Sequence, residues 1–73
     1  MAKHKFVVCM SNEGYEVSLE PRKLYESVPD RRAEKLGQIR VIDESGEDYL
    51  YPGSFFEAVE LRSPVEKKLL HAA

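Results

Sequence analysis

The chain has very little of several residue types that carry chemistry. It contains one cysteine, Cys9, and no tryptophan among its 73 residues. A single cysteine excludes an internal disulfide and any multi-cysteine metal site within one chain. The longest apolar run, residues 6–10, is far shorter than the ~20 residues that a membrane-spanning helix needs. No signal-peptide pattern opens the sequence, which therefore predicts a cytoplasmic protein.

Basic residues are missing from residues 41–61, although this stretch carries six acidic residues. The flanking residues 1–40 and 62–73 each have a net charge of +2, so the overall charge of −2 conceals an acidic middle segment. Because acidic surface repels phosphate, this segment is a poor candidate for contact with a nucleic-acid backbone.

What the chain does have is a series of short β patterns. Residues 5–10 alternate as a strand that is apolar on both faces, and residues 15–19 alternate as a half-buried strand. Residues 22–28 follow as a third predicted strand. Asp30 is placed to cap one helical turn, which Gly37 would end in a left-handed conformation.

A hairpin is predicted around residues 43–46. Their sequence, Asp-Glu-Ser-Gly, has the Asp and Gly positions that are typical of a type I turn followed by a bulge. The resulting three-residue loop pairs Val41 with Tyr49 and Ile39 with Tyr51. These four side chains should therefore form one buried face.

The alternative two-residue loop is less favourable because it brings like charges together. It would set Asp43 opposite Asp48 and Glu44 opposite Glu47, which are two repulsive cross-strand pairs. In the three-residue register, the Leu50 side chain lies on the opposite face of the strand from those of Tyr49 and Tyr51.

The last third of the chain predicts a turn, a strand and a helix. Residues 52–54 break the strand, and Phe55-Phe56 should form a short 3₁₀ turn before a closing strand at 57–61. Residues 63–66, Ser-Pro-Val-Glu, have the form of a capping box at the start of a short helix.

Together these patterns predict a mainly β protein, a small and partly open barrel of five to six strands with a short C-terminal helix. A chain of this length forms one domain and has little room for a deep internal active site. We expect the barrel to span 1–62 and a helical or frayed tail to span 63–73.

The segment 49–56, Tyr-Leu-Tyr-Pro-Gly-Ser-Phe-Phe, resembles the end of an SH3-type barrel. Over most of its length, and most clearly at 40–52, the chain also resembles a family of small bacterial proteins. That resemblance implies a bacterial cytosolic domain with an SH3-like barrel, and it implies no activity.

The SH3 resemblance implies roles for residues at four positions. Leu50 and Phe55 fall where peptide-binding SH3 domains expose the aromatic residues of their groove, and Tyr51 and Phe56 fall where those domains have core residues. Leu50 replaces an aromatic residue, and the chain has no tryptophan. Recognition of proline-rich peptides in the SH3 manner is therefore not predicted.

No constellation of residues predicts catalysis or a metal site. Cys9 lies inside an apolar run, and nothing places His4 or His71 beside it, so we expect a buried and inert thiol. The four hairpin carboxylates lack the alternating ligands of a calcium loop, so they indicate a solvated hairpin tip. We expect no cofactor and no enzyme activity, except as a subunit that completes a site in a complex.

The sequence leaves two binding hypotheses. The first is a protein-interaction module, a monomer or weak homodimer, that presents an exposed Phe55 to a basic partner; its surface comprises Leu50, Phe55, Asp43, Glu44, Glu47 and Asp48. The alternative is a weak RNA- or nucleic-acid-binding barrel that uses Arg22, Lys23, Tyr25, Arg31 and Arg32. Acidic residues are interleaved with these bases, which favours a mixed solvated surface over a phosphate site.

Overall fold

The structure is a computed structural model, and it describes residues 6–70 except for the side chain of Leu70. His4, Lys5 and His71, to which the sequence analysis also refers, lie outside the described residues. The elements in chain order are β1 (Phe6–Cys9), β2 (Leu24–Val28), α1 (Arg31–Lys35), β3 (Gln38–Ile42), β4 (Asp48–Pro52), a 3₁₀ turn (Gly53–Phe55), β5 (Phe56–Val59) and α2 (Ser63–Leu70).

The five strands form one antiparallel sheet in the order β4-β3-β2-β1-β5. The strands β4 and β5 are the two ends of this order and do not pair with each other, so the sheet is open. The prediction of a mainly β protein with a short C-terminal helix is confirmed. The sheet does not close, and the finer prediction of an SH3-like barrel stays a prediction.

One face of the sheet carries the core. Because strand residues alternate between faces, the pairing of Val7 with Tyr25 and of Cys9 with Phe56 puts all four side chains on this face. They pack with Val41, Tyr51 and Leu19 into one buried cluster. The predictions that Cys9, Tyr51 and Phe56 are buried are thus confirmed.

The segment 15–19 is not a strand, and this prediction is wrong. It belongs to the long loop between β1 and β2 and folds into consecutive turns, in which the N–H groups of Ser18 and Leu19 both donate to the carbonyl of Tyr15. Only Leu19 reaches the core, whereas Val17 is 94% exposed. The segment does alternate, but no strand within residues 6–70 pairs with it to form a ladder.

The predicted hairpin register is confirmed. Val41 pairs with Tyr49 and Ile39 with Tyr51, and Gly46 has the left-handed φ of +85° that the three-residue loop requires. The expected burial of Tyr49 is wrong, since its side chain is 50% exposed. Tyr49 lies at the hairpin end of the edge strand β4, where no further strand covers it.

Both helices were expected, but only one begins as predicted. Asp30 caps α1 by accepting a hydrogen bond from the Ala33 N–H at 3.0 Å, and Gly37 follows with a φ of +73°. In α2, by contrast, Ser63 lies inside the helix. The Glu66 N–H donates to the carbonyl of Arg62 at 2.9 Å, so the first turn closes through the backbone and not through a serine cap.

Candidate functional site

The acidic hairpin is built around a buried carboxylate. Asp43 is only 6% exposed, and it accepts hydrogen bonds from the Ser45 N–H at 2.8 Å, from the Ser45 hydroxyl at 2.5 Å and from the Tyr51 hydroxyl. Burial alone would raise the pKa of Asp43, but these donors outweigh it and the net pKa is lowered. The expectation that Asp43 belongs to a solvated tip is therefore wrong, because it organises the turn from within.

The next acid, Glu44, joins residues from both binding hypotheses. Its carboxylate accepts from the Lys23 ammonium and from the Tyr25 hydroxyl, each at 2.6 Å. The Lys23 contact is the main cause of the lowered pKa of Glu44, and the Tyr25 hydroxyl adds to it. Tyr25 also accepts from the Glu20 N–H at 2.8 Å. Glu44 therefore holds the hairpin against β2, and its charge is already paired with that of Lys23.

Asp48 is paired as well. The guanidinium of Arg40 donates to Asp48 at 3.0 Å and to Asp30 at 2.9 Å, and so it joins the hairpin to the start of α1. The fourth carboxylate, Glu47, accepts only from the Tyr49 hydroxyl, at 3.1 Å, and no ion pair in residues 6–70 involves it. Of the four hairpin acids, Glu47 is the one whose charge remains available to a partner.

A groove lies along β4 beside this hairpin, and we call it the edge groove. Its volume is about 350 Å³, and the residues that line it include Tyr15, Asp43, Ser45, Tyr49, Leu50 and Tyr51. Three of these, Tyr15, Tyr49 and Leu50, are 41%, 50% and 38% exposed, so they offer apolar surface to solvent. The predicted contact residue Leu50 thus lines a groove that also has three tyrosines in its lining, although its side chain lies on the opposite face of β4 from those of Tyr49 and Tyr51.

Aromatic packing fixes one wall of the edge groove. The Tyr15 ring meets Tyr51 edge-on with a centroid distance of 4.9 Å, and it meets Phe55 at 6.0 Å. Phe55 packs partly against the core and is half-buried, so part of its ring remains exposed, as expected, while its role in binding stays a prediction. The Tyr15 ring thus packs on Phe55, and Tyr15 is the more exposed of the two.

The basic residues of the alternative hypothesis are not brought together. Arg22 and Lys23 precede β2, whereas Arg31 and Arg32 belong to α1 beyond its other end, about 13 Å away along a strand of this length. Tyr25 is 5% exposed, so it cannot offer a ring on which bases stack, and its predicted role as a platform is wrong.

A larger cavity lies elsewhere, at the end of the sheet between α1 and the 3₁₀ turn. It has a volume of about 520 Å³, and apolar side chains such as Val28, Pro29 and Ile39 line it. Glu34 is the one titratable side chain in its lining. None of the residues that the sequence proposed for protein or nucleic-acid binding lines this cavity.

No reactive or metal-binding group stands out in the part of the chain that the structure describes. The Cys9 thiol donates to the Ser11 carbonyl, and burial raises its pKa, so it remains protonated at neutral pH. Within residues 6–70, no three His, Cys, Asp or Glu side chains are placed to hold one metal ion. Neither helix of this range has the length and apolar character needed to cross a membrane.

The sequence missed Tyr15 and Tyr49 as surface residues. Tyr15 lies in a segment that alternates like a strand, and Tyr49 lies on the face that carries the core. The sequence pattern therefore predicts that both side chains are buried. Their position at the edge of the sheet depends on which strand is outermost, and no local pattern carries that information. Comparison with known protein families, with curated proteins and with solved structures gave no match, so the functional argument rests on this geometry.

Proposed function

We propose that the protein is a small, non-enzymatic protein-interaction domain that binds a basic segment of a partner protein in the edge groove. The observation that carries the proposal is that two half-exposed tyrosine rings, those of Tyr15 and Tyr49, line one groove together with Leu50 beside an acidic hairpin. Exposed aromatic side chains of this kind provide a large contact area at a small entropic cost.

The charges around the edge groove favour a cationic ligand. Residues 11–20, which include the Tyr15 wall, carry three acids and no base, and the hairpin wall belongs to the base-free stretch 41–61. Glu16 and Glu47 have no cationic partner among the ion pairs of residues 6–70. An arginine or lysine side chain placed in the groove beside Tyr49 would meet the ring of Tyr49 and the Glu47 carboxylate that accepts from its hydroxyl.

The fold proposal that accompanies this function is an SH3-like arrangement of the sheet. The consecutive antiparallel order of β1 to β4, the return of β5 to β1 and the 3₁₀ turn before β5 support it. A nucleic-acid function has no comparable support, because Lys23 is paired with Glu44 and the exposed bases lie at opposite ends of β2.

Selection from a library of random nine-residue peptides displayed on phage tests the proposed function. We expect the selected peptides to be enriched in arginine and lysine. Tyr49→Ala should weaken the binding of the tightest peptide roughly fivefold or more, since it removes one ring that contacts the cation. Isothermal titration calorimetry measures the change.

Two variants that each remove one negative charge distinguish binding in the edge groove from a general attraction of basic peptides to an acidic protein. Glu47→Gln should weaken binding, whereas Glu34→Gln, on α1 at the other end of β3, should leave the affinity unchanged. Selection of acidic peptides, failure to select any peptide, or equal effects of the two variants would each rule out the proposal.

A further inference from the structure

The open edge of β4 offers backbone groups as well as side chains. On its inner side β4 pairs with β3, and on its outer side no strand of residues 6–70 pairs with it. An unpaired strand edge is a template for the addition of another extended chain. Three residues of β4, Tyr49, Leu50 and Tyr51, also line the edge groove.

The hairpin hydrogen bonds determine which backbone groups point outward. The Asp43 N–H donates to the Glu47 carbonyl at 3.0 Å, so the backbone N–H and C=O of Glu47 point toward the β3 side of the hairpin. In an antiparallel ladder the direction alternates, so the N–H and C=O of Tyr49 and Tyr51 also face β3. The N–H and C=O of Leu50 therefore face the open edge, and no backbone bond to another part of residues 6–70 involves them.

Resting on the proposed function, we infer that the basic segment binds as a short β-strand added to the edge of β4, paired with the backbone of Leu50. Two features support this conformation of the ligand. The Leu50 backbone supplies one donor and one acceptor in the orientation that a new strand needs. The rings of Tyr15 and Tyr49 border the same edge on the core side of the sheet, where alternate side chains of an added strand would point.

The chemistry of β4 limits the length of the added strand. Pro52 has no N–H to donate, and Asp48 begins the strand beside the turn, so about three residues of the ligand pair with β4. Within that stretch, an arginine or lysine belongs at the residue whose side chain faces Tyr49 and Glu47. The inferred ligand is thus a short extended segment with a basic residue flanked by β-forming residues.

Replacement of Leu50 by proline and by alanine tests the inference directly. Both variants lose the leucine side chain, but only Leu50→Pro also loses the outward N–H, and proline is tolerated on a strand edge. We expect Leu50→Pro to bind the tightest selected peptide at least tenfold more weakly than Leu50→Ala, with the ¹H–¹⁵N spectrum showing both folded. Equal affinities of the two variants would overturn the inference and leave the proposed function intact.

A second measurement uses the unaltered protein, in case Leu50→Pro does not fold. The selected peptide is synthesised with one backbone N–H methylated at a time, and the affinity of each version is measured. Strand addition predicts at least a tenfold loss at alternate positions of the central residues, since every second N–H points at β4. An affinity that is insensitive to methylation at every position would refute strand addition, and failure to select any peptide would refute both this inference and the proposed function.

Discussion

At the scale of single residues, Asp43 connects the two halves of the hairpin. It is held by a hydroxyl and an N–H from its own turn and by the hydroxyl of Tyr51, eight residues further along the chain. A buried carboxylate is stable only with such partners. The sequence showed Asp43 as one of four similar acids, since nothing local indicates that the Tyr51 hydroxyl lies beside it.

Replacing Asp43 by alanine should destabilise the protein by about 2–3 kcal/mol, because it leaves the Tyr51 hydroxyl and the Ser45 N–H without their acceptor. Urea denaturation followed by circular dichroism measures the free energy of unfolding. The matched control is Glu47→Ala, which removes an exposed acid of the same turn and should leave the midpoint unchanged. A similar loss in both variants would contradict the role assigned to Asp43.

The lowered pKa of Asp43 also predicts a pH dependence of stability. Asp43 is ionised more readily in the folded protein than in the unfolded chain, where its pKa is about 3.9. Its contribution is therefore fully present above that value and is lost as pH falls through the lower folded pKa. We expect the stability difference between the wild type and Asp43→Asn to shrink as the pH falls from about 5 to 2. Urea midpoints across this range measure it, and a constant difference would contradict the prediction.

At the scale of elements, the two hairpin-like patterns of the sequence had opposite outcomes. Residues 39–51 form the predicted hairpin, because the turn residues and the apolar alternation select the same register. Residues 5–19 showed equally clear alternation, yet 15–19 form turns. The Arg22 N–H donates a hydrogen bond to the Cys9 carbonyl, and the Cys9 N–H donates to the Lys23 carbonyl. Because β1 therefore pairs with the segment that begins at Arg22, residues 15–19 are left outside the ladder.

The hairpin loop should be sensitive to the residue at position 46. Gly46 has a φ of +85°, and a Cβ added there would meet no atom within 4 Å, so the cost of a side chain is purely conformational. Gly46→Ala should lower the free energy of unfolding by about 1–2 kcal/mol. Gly46→Asn should cost less, because asparagine adopts left-handed conformations more readily, and thermal unfolding ranks the three proteins. An alanine variant as stable as the wild type would show that the loop can change its type.

At the scale of the whole molecule, charge is more evenly balanced than the sequence suggested. The acidic stretch 41–61 receives two ion-pair partners from outside it, Lys23 just before β2 and Arg40 in β3. Beside the edge groove, Glu47 takes part in no ion pair within residues 6–70, and its carboxylate accepts from the hydroxyl of Tyr49. The groove brings Tyr49 together with Tyr15, from a segment more than thirty residues earlier in the chain. This arrangement is a property of the fold, and with Glu47 it is the basis of the proposed preference for a basic ligand.

The helix α2 should be dispensable for folding of the sheet. Its side chains Val65 and Leu69 are 47% and 41% exposed, so the helix buries little apolar area, although Leu69 shares a depression with Phe6 and Leu24. A chain that ends at Arg62 should lose no more than about 2 kcal/mol of stability. Urea denaturation and the ¹H–¹⁵N spectrum measure the effect. Loss of the dispersed amide signals of β1 and β2 would show that the sheet needs α2.

The sequence by itself determined the mainly β class, the 39–51 register, the Asp30 cap and the buried state of Cys9, since each depends on neighbours within a few residues or on composition. Only the tertiary structure decided which strands are outermost, that 15–19 is a loop, that Asp43 is buried and that Tyr25 is unavailable for stacking. These features depend on contacts between segments far apart in the chain. The candidate site lies on the sheet edge, and edges are defined only when all strands are placed.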